Sequence, residues 1–109
     1  MENIMIEKGQ ATNLQEAVGY MNKSVVSKQV IKAQTGNITL FAFDKGEGLS
    51  EHSAPFDAFV QVLDGKAEII IGGKSNMVSS GEFIIMPANF PHALKAIEKF
   101  KMMLVMIRS

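Results

Sequence analysis

The chain has no cysteine. That absence removes disulfides, thiolate metal ligands and a cysteine nucleophile together, and it fits a reducing compartment. A surplus of charge of one sign is also missing, since eleven basic and eleven acidic residues give a formal net charge of zero. A nucleic-acid binder usually carries a basic excess or stripe, so the expected partner is a small molecule or another protein. No apolar run approaches the length of a membrane span. The first nine residues place acidic side chains where a signal peptide needs basic ones. The expectation is a cytoplasmic protein with neither a nucleic-acid nor a membrane partner. Gly-rich phosphate loops, nucleophile elbows and paired-carboxylate motifs are absent too. Lys45, Lys74 and the Lys95–Lys101 group read as solvated surface.

What is present is enough for one core. A chain of 109 residues, 47% hydrophobic and 20% charged, has the size and composition of a single globular domain. Ile4 and Ile6 share one face of a short strand or arm. Thr12-Asn13-Leu14-Gln15 has the form of a capping box, which predicts a two-turn helix with Leu14 and Val18 on one face. From Ser24 onward, short β-type runs alternate with turn signals: 25–33, 38–43, 56–63, 67–71, 74–78, 82–86, 92–97 and 100–107. Asp64-Gly65 reads as a hairpin turn because that pair readily takes positive φ. Eight short strands at this spacing predict an all-β antiparallel sandwich or barrel. Residues 1–35 form an N-terminal arm, short helix and first strand, and 36–109 the barrel.

The run F-K-M-M-L-V-M-I-R at the end of the chain does not alternate, so both its faces are expected to be covered. One would face the barrel core and the other the N-terminal segment or a second subunit. Phe59 and Leu63 fall on the face opposite Ala58, Val60 and Val62, with Phe56 siding with the latter set. A homodimer is the preferred explanation of this second apolar face.

The chemistry-bearing residues are few. The two histidines of the chain, His52 and His92, stand in Gly48–Gly65 (G-L-S-E-H-S-A-P-F-D-A-F-V-Q-V-L-D-G) and Gly81–His92 (G-E-F-I-I-M-P-A-N-F-P-H). Glu51 and Asp57 are the nearest spare carboxylates, but regular alternation turns Asp57 outward when Ala58 points in, and Gln61 has the same parity. Asp57 reads more simply as orienting a turn after Pro55. Met86, Met102, Met103 and Met106, with Phe41, Phe43, Phe56, Phe83 and Phe90, make an interior suited to an apolar or aromatic ligand.

These two stretches resemble the paired motifs of the cupin superfamily, small β-barrels of jelly-roll type, and most of all a branch of small single-domain cupins. The first motif is matched by His52, Ala54, Ala58 and Gly65, the second by Gly81, Pro87, Asn89 and His92. The resemblance implies a jelly-roll (double-stranded β-helix) barrel. In metal-binding members, three histidines and one glutamate hold a divalent ion inside it. Here His52 and His92 stand in two of those places, while Ala54 and Ala58 occupy the other two and offer no donor atom. Asn89 replaces the motif glycine and tolerates positive φ. A pocket formed by His52, Ala54, Phe56, Ala58, His92, Met86, Phe41 and Phe43 is therefore expected. Three readings follow: a module binding a small apolar molecule between His52 and His92, a metal-dependent dioxygenase- or isomerase-like enzyme with Fe, Ni, Mn or Zn on the two histidines, and a structural or regulatory dimer with a vestigial pocket.

Overall fold

The structure is a computed structural model and describes residues 5–108. Eight antiparallel strands run in chain order: β1 (Val25–Ala33), β2 (Gly36–Phe43), β3 (Gly48–His52), β4 (Ala58–Ile71), β5 (Lys74–Ser79), β6 (Phe83–Met86), β7 (His92–Lys95) and β8 (Phe100–Ile107). They form two curled sheets that share β4. One holds β1-β2-β8-β4 with β6 against β4, and the other holds β3-β7-β4 with β5 against β4.

The shared strand is where the sequence misled. Asp64-Gly65 does not close a hairpin; the chain continues as one 14-residue strand, and the ladder to β8 shifts register between Val62 and Asp64. Gly65 does take the positive φ the pair suggested, 77°. A bulge uses it as readily as a turn does, and the bulge bends β4 out of the first sheet and into the second. A Cβ at Gly65 would lie 2.0 Å from the Lys99 carbonyl oxygen, so this corner also requires glycine for close backbone approach.

Strand alternation then sorts the side chains. Ala58, Val60, Val62, Ala67 and Ile69 of β4 join Phe43, Phe100, Met102 and Leu94 in the core between the sheets. Phe43 and Phe100 stack with centroids 4.4 Å apart, an arrangement contributing about 0.5–1.5 kcal/mol beyond burial. The outward set of the first sheet, Leu40, Ala42 and Leu63, forms a second cluster with Ala17 and Val18.

That second cluster explains residues 5–20. No helix forms among the described residues. Leu14 and Val18 do not share a face, since Val18 is buried and Leu14 exposed. The Asn13 side chain accepts from the Glu16 N–H, giving one turn. Gln15 does not reach back to Thr12 but donates to the Leu63 carbonyl at 2.6 Å. The segment is a strap, held further by Tyr20 donating to Asp64 at 2.6 Å and by Lys101 donating to the Gln15 carbonyl. Lys99 and Lys101 both lie over the Tyr20 ring. Ile6 packs on this cluster from outside any strand; Ile4 lies outside the described residues. Since β1 is hydrogen-bonded along β2, the first strand is part of the sheet and not of the arm.

Candidate functional site

His52 ends β3 and His92 begins β7, and the register of these neighbouring strands sets them directly opposite each other. On its other side, His92 faces Ile71 at the end of β4. Two turns hold this end of the barrel. The Asn89 N–H donates to the Ala54 carbonyl at 2.7 Å, with Asn89 at φ 68°. The Asp57 carboxylate accepts from the Ala88 N–H at 2.9 Å. Asp57 thus orients a turn, as its sequence context suggested, but the turn belongs to the second histidine's loop. It fastens one motif to the other.

The two rings meet edge to face with centroids 4.3 Å apart and Nε2 atoms 3.1 Å apart. Their tautomers follow from the outer contacts. His52 Nδ1 lies 2.9 Å from the Ser50 carbonyl oxygen, which only accepts, so Nδ1 carries the proton and a neutral His52 has a bare Nε2. His92 must then donate through Nε2–H, leaving its own Nδ1 bare. That nitrogen is buried and has no hydrogen-bond partner, which is tolerable for a lone pair and costlier for an N–H or a charge.

Electrostatics bears on the charge of the pair and not on its tautomers. Burial is the main cause holding the His92 pKa below its ordinary range, His52 adds to it, and a backbone interaction with Phe90 opposes both. His92 is therefore the buried, neutral member of the pair, and His52 is exposed at the barrel's end. Only His92 is buried, because β3 is the edge strand and β7 is flanked by β3 and β4.

The cupin-domain profile matches residues 39–108. The chain belongs to the cupin family. A conserved protein of unknown function from Streptococcus pyogenes is 38% identical, with a TM-score of 0.91 over 100% of this chain and 96% of its own. A cupin 2 conserved barrel domain protein from Leptotrichia buccalis is 41% identical, with a TM-score of 0.86 over 89% of this chain but 47% of its own, so the cupin described here spans about half of that relative. A cupin superfamily protein from Desulfitobacterium hafniense, 21% identical with a TM-score of 0.89 over the whole of both chains, shares the fold. The comparison with curated proteins finds no match. The jelly-roll barrel expected from the sequence is the fold of this cupin.

The donor set does not fit a resident catalytic metal. The separation of 3.1 Å between Nε2 atoms is what two imidazoles sharing one ion at about 2.0–2.1 Å would show, and the Ser50 carbonyl orients His52 as an outer partner does in metal sites. Among the described residues, His52 and His92 are the two donors that converge here. Ala54 and Ala58 bring no donor, and no group of three His, Cys, Asp or Glu residues able to hold an ion occurs among the described residues. Catalytic sites use three protein ligands as a rule.

The remaining expected pocket residues divide. Ala58 and Met86 are buried cross-strand partners on the core side, Phe41 packs against the core half-buried, and Ala54 is half-buried in the loop. Phe43 is fully buried under Phe100 and presents no surface to a ligand. Phe56 does not side with Ala58. It precedes the start of β4, so strand parity does not govern it. It lines an outer groove with Phe59 and Ile85, and Arg108 lies over its ring. The sequence reading missed the Ser50 carbonyl, because a backbone acceptor two residues from a histidine leaves no compositional signal.

Proposed function

We propose that the barrel binds a small, largely apolar molecule through a single hydroxyl or enol group inserted between His52 and His92. The observation that carries this reading is the 3.1 Å Nε2–Nε2 contact, a hydrogen bond that needs a proton on one nitrogen and a lone pair on the other. Such a pair offers one acceptor and one donor, and a hydroxyl group is the complement of both. It donates to His52 Nε2 and accepts from His92 Nε2–H. The rings touch as they stand, so a ligand has to part them. His52, exposed and on the edge strand, is the ring free to move, while burial fixes His92. The apolar core side of the barrel, with Ala58, Met86 and the half-buried Phe41, suits an apolar body on the ligand.

Thermal unfolding in the presence of phenol, catechol and toluene tests this reading. Phenol or catechol should raise Tm and toluene should not, and the His52→Ala and His92→Phe variants should lose the response. Stabilisation by one equivalent of Fe, Ni, Mn or Zn, with no response to either hydroxyl compound, would favour the metal-dependent enzyme. That reading has the convergence of the two Nε2 atoms in its favour and the missing third ligand against it. Indifference to every additive would leave the structural dimer.

A further inference from the structure

A bulge on β1 turns one lysine towards the barrel. Ser27 and Gln29 pair with Phe41 and Thr39, whereas Ile31 and Lys32 pair with Ile38 and Asn37, so the register slips by one residue at Val30. Before the slip, alternation sends Val25 to the barrel core and Val26 to the outer cluster under the strap, where Val30 also packs. An unbroken strand would place Lys32 on that outer side with Val26, Lys28 and Val30. The extra residue reverses the parity, and bulges on edge strands re-aim side chains in this way. Asn37 is the cross-strand partner of Met106, which packs on the barrel core. Lys32, opposite Asn37, therefore shares the inner face.

The row that ends on Lys32 is level with the histidines. Across the sheet it reads Lys32, Asn37, Met106, Ala58 and Met86. The loop 87–91 leads from Met86 directly to His92. β5 and β6 follow one edge of β4, and β7 and β8 follow the other. The free edges β3, outside β7, and β1, outside β2 and β8, thus lie on the same side of the barrel. Exposure shows that the barrel is open between them. Along the row, Ala58 and Met86 are buried, Met106 and Asn37 half-buried, and Lys32 exposed. The next row repeats the gradient, from buried Val60 through half-buried Leu104 and Thr39 to exposed Gln29. The mouth has an apolar floor, a neutral polar wall and a lysine at its rim.

We propose, building on the hydroxyl reading of the histidine pair, that Lys32 holds a carboxylate of the same ligand, which is a small hydroxy or enol acid with an apolar body. Charge selects this class. β1 and β2 contain no acidic residue, so an anion at Lys32 meets no carboxylate from the wall that carries it. Asn37, Thr39 and Gln29 add hydrogen-bonding groups without charge. Arg108, beyond the end of β8, is the other cation at this end, and its guanidinium lies over the Phe56 ring. Of the nearby carboxylates, Asp57 accepts from the Ala88 N–H, and Glu51 stands on β3 beside His52. The ammonium on its flexible stem can follow a ligand into the mouth as His52 moves aside.

Calorimetric titration of the untagged full chain with phenol, phenylacetate, 4-hydroxyphenylacetate and the neutral amide of the last tests the proposal. The wild type should bind the hydroxy acid about 5-fold tighter than phenol or the amide, the range of one solvent-exposed ion pair. Lys32→Gln should bind acid, amide and phenol alike. Lys28→Gln removes the same charge from the outer side of β1, opposite Leu40, and should keep the preference. Phenol binding with no preference for the acid, or a preference lost equally in both variants, would overturn the role of Lys32 and leave the histidine reading standing. Phenylacetate bound as tightly as the hydroxy acid, with both dependent on Lys32, would keep the carboxylate site and overturn the histidine reading. Binding of none of the four would overturn both.

Discussion

His52 and His92 share a hydrogen bond of 3.1 Å between their Nε2 atoms, and only one of the two rings is buried. The asymmetry assigns separate tasks. The buried ring is fixed and neutral, and the exposed one is oriented by the Ser50 carbonyl.

Stability should fall on the acid side because of His92. Its folded pKa lies below the ordinary value, chiefly through burial, while the unfolded imidazole titrates near pH 6.5. Below that pH the unfolded chain takes up a proton that the folded chain refuses. The contribution is therefore complete above about pH 7 and is lost as pH falls through 6.5 towards the folded value. Urea midpoints measured from about pH 8 down to 5 should decline for the wild type, and His92→Phe should flatten the decline.

Gly65→Ala should be among the costliest conservative substitutions in the chain. It combines positive φ, 77°, with a Cβ driven into the Lys99 carbonyl, which should cost about 2–4 kcal/mol in denaturant unfolding. A loss under 1 kcal/mol would mean that the corner of β4 is not built as described.

The strap should open without the barrel. Gln15→Ala combined with Tyr20→Phe removes the bonds to Leu63 and Asp64, each contributing about 0.5–1.5 kcal/mol. Hydrogen exchange should show faster exchange across residues 12–20, with the protection of β4 and β8 unchanged.

Adding two donors beside the histidine pair should create a strong metal site. Ala54→His with Ala58→Glu supplies the third imidazole and the carboxylate of the cupin pattern. Ala58 is buried between Met86 and Met106, so the glutamate should destabilise the metal-free protein. The double variant should retain near-stoichiometric Ni or Zn by elemental analysis where the wild type does not. Equal retention by the two proteins would contradict the donor count.

Most strands and both motifs of this fold were legible because alternation and glycine–proline punctuation are local signals, but β3, polar and largely exposed, was not read as a strand. The boundaries of β8, 100–107, came out as read. Asp64-Gly65 misled because positive φ is common to hairpins and bulges, and only the pairing of both halves of β4 with distant strands distinguishes them. Thr12–Gln15 misled because a capping pattern reports on local hydrogen bonds, while Gln15 found a better acceptor 48 residues away at Leu63. Phe56 was placed by strand parity in a loop that has none. The histidine pair could be suspected from its motifs, but which ring is buried depends on sheet order, a property no window of sequence carries.

The most direct test is the 15N spectrum of the two imidazoles at neutral pH, recorded alone, with saturating phenol and with one equivalent of zinc. The expected spectrum has His52 protonated at Nδ1 and His92 at Nε2. Phenol should move both Nε2 resonances while the Nδ1 resonances stay, and zinc should leave all four in place. Nε2 resonances that ignore phenol and move together on adding zinc would contradict the hydroxyl-binding pair and make it a metal centre.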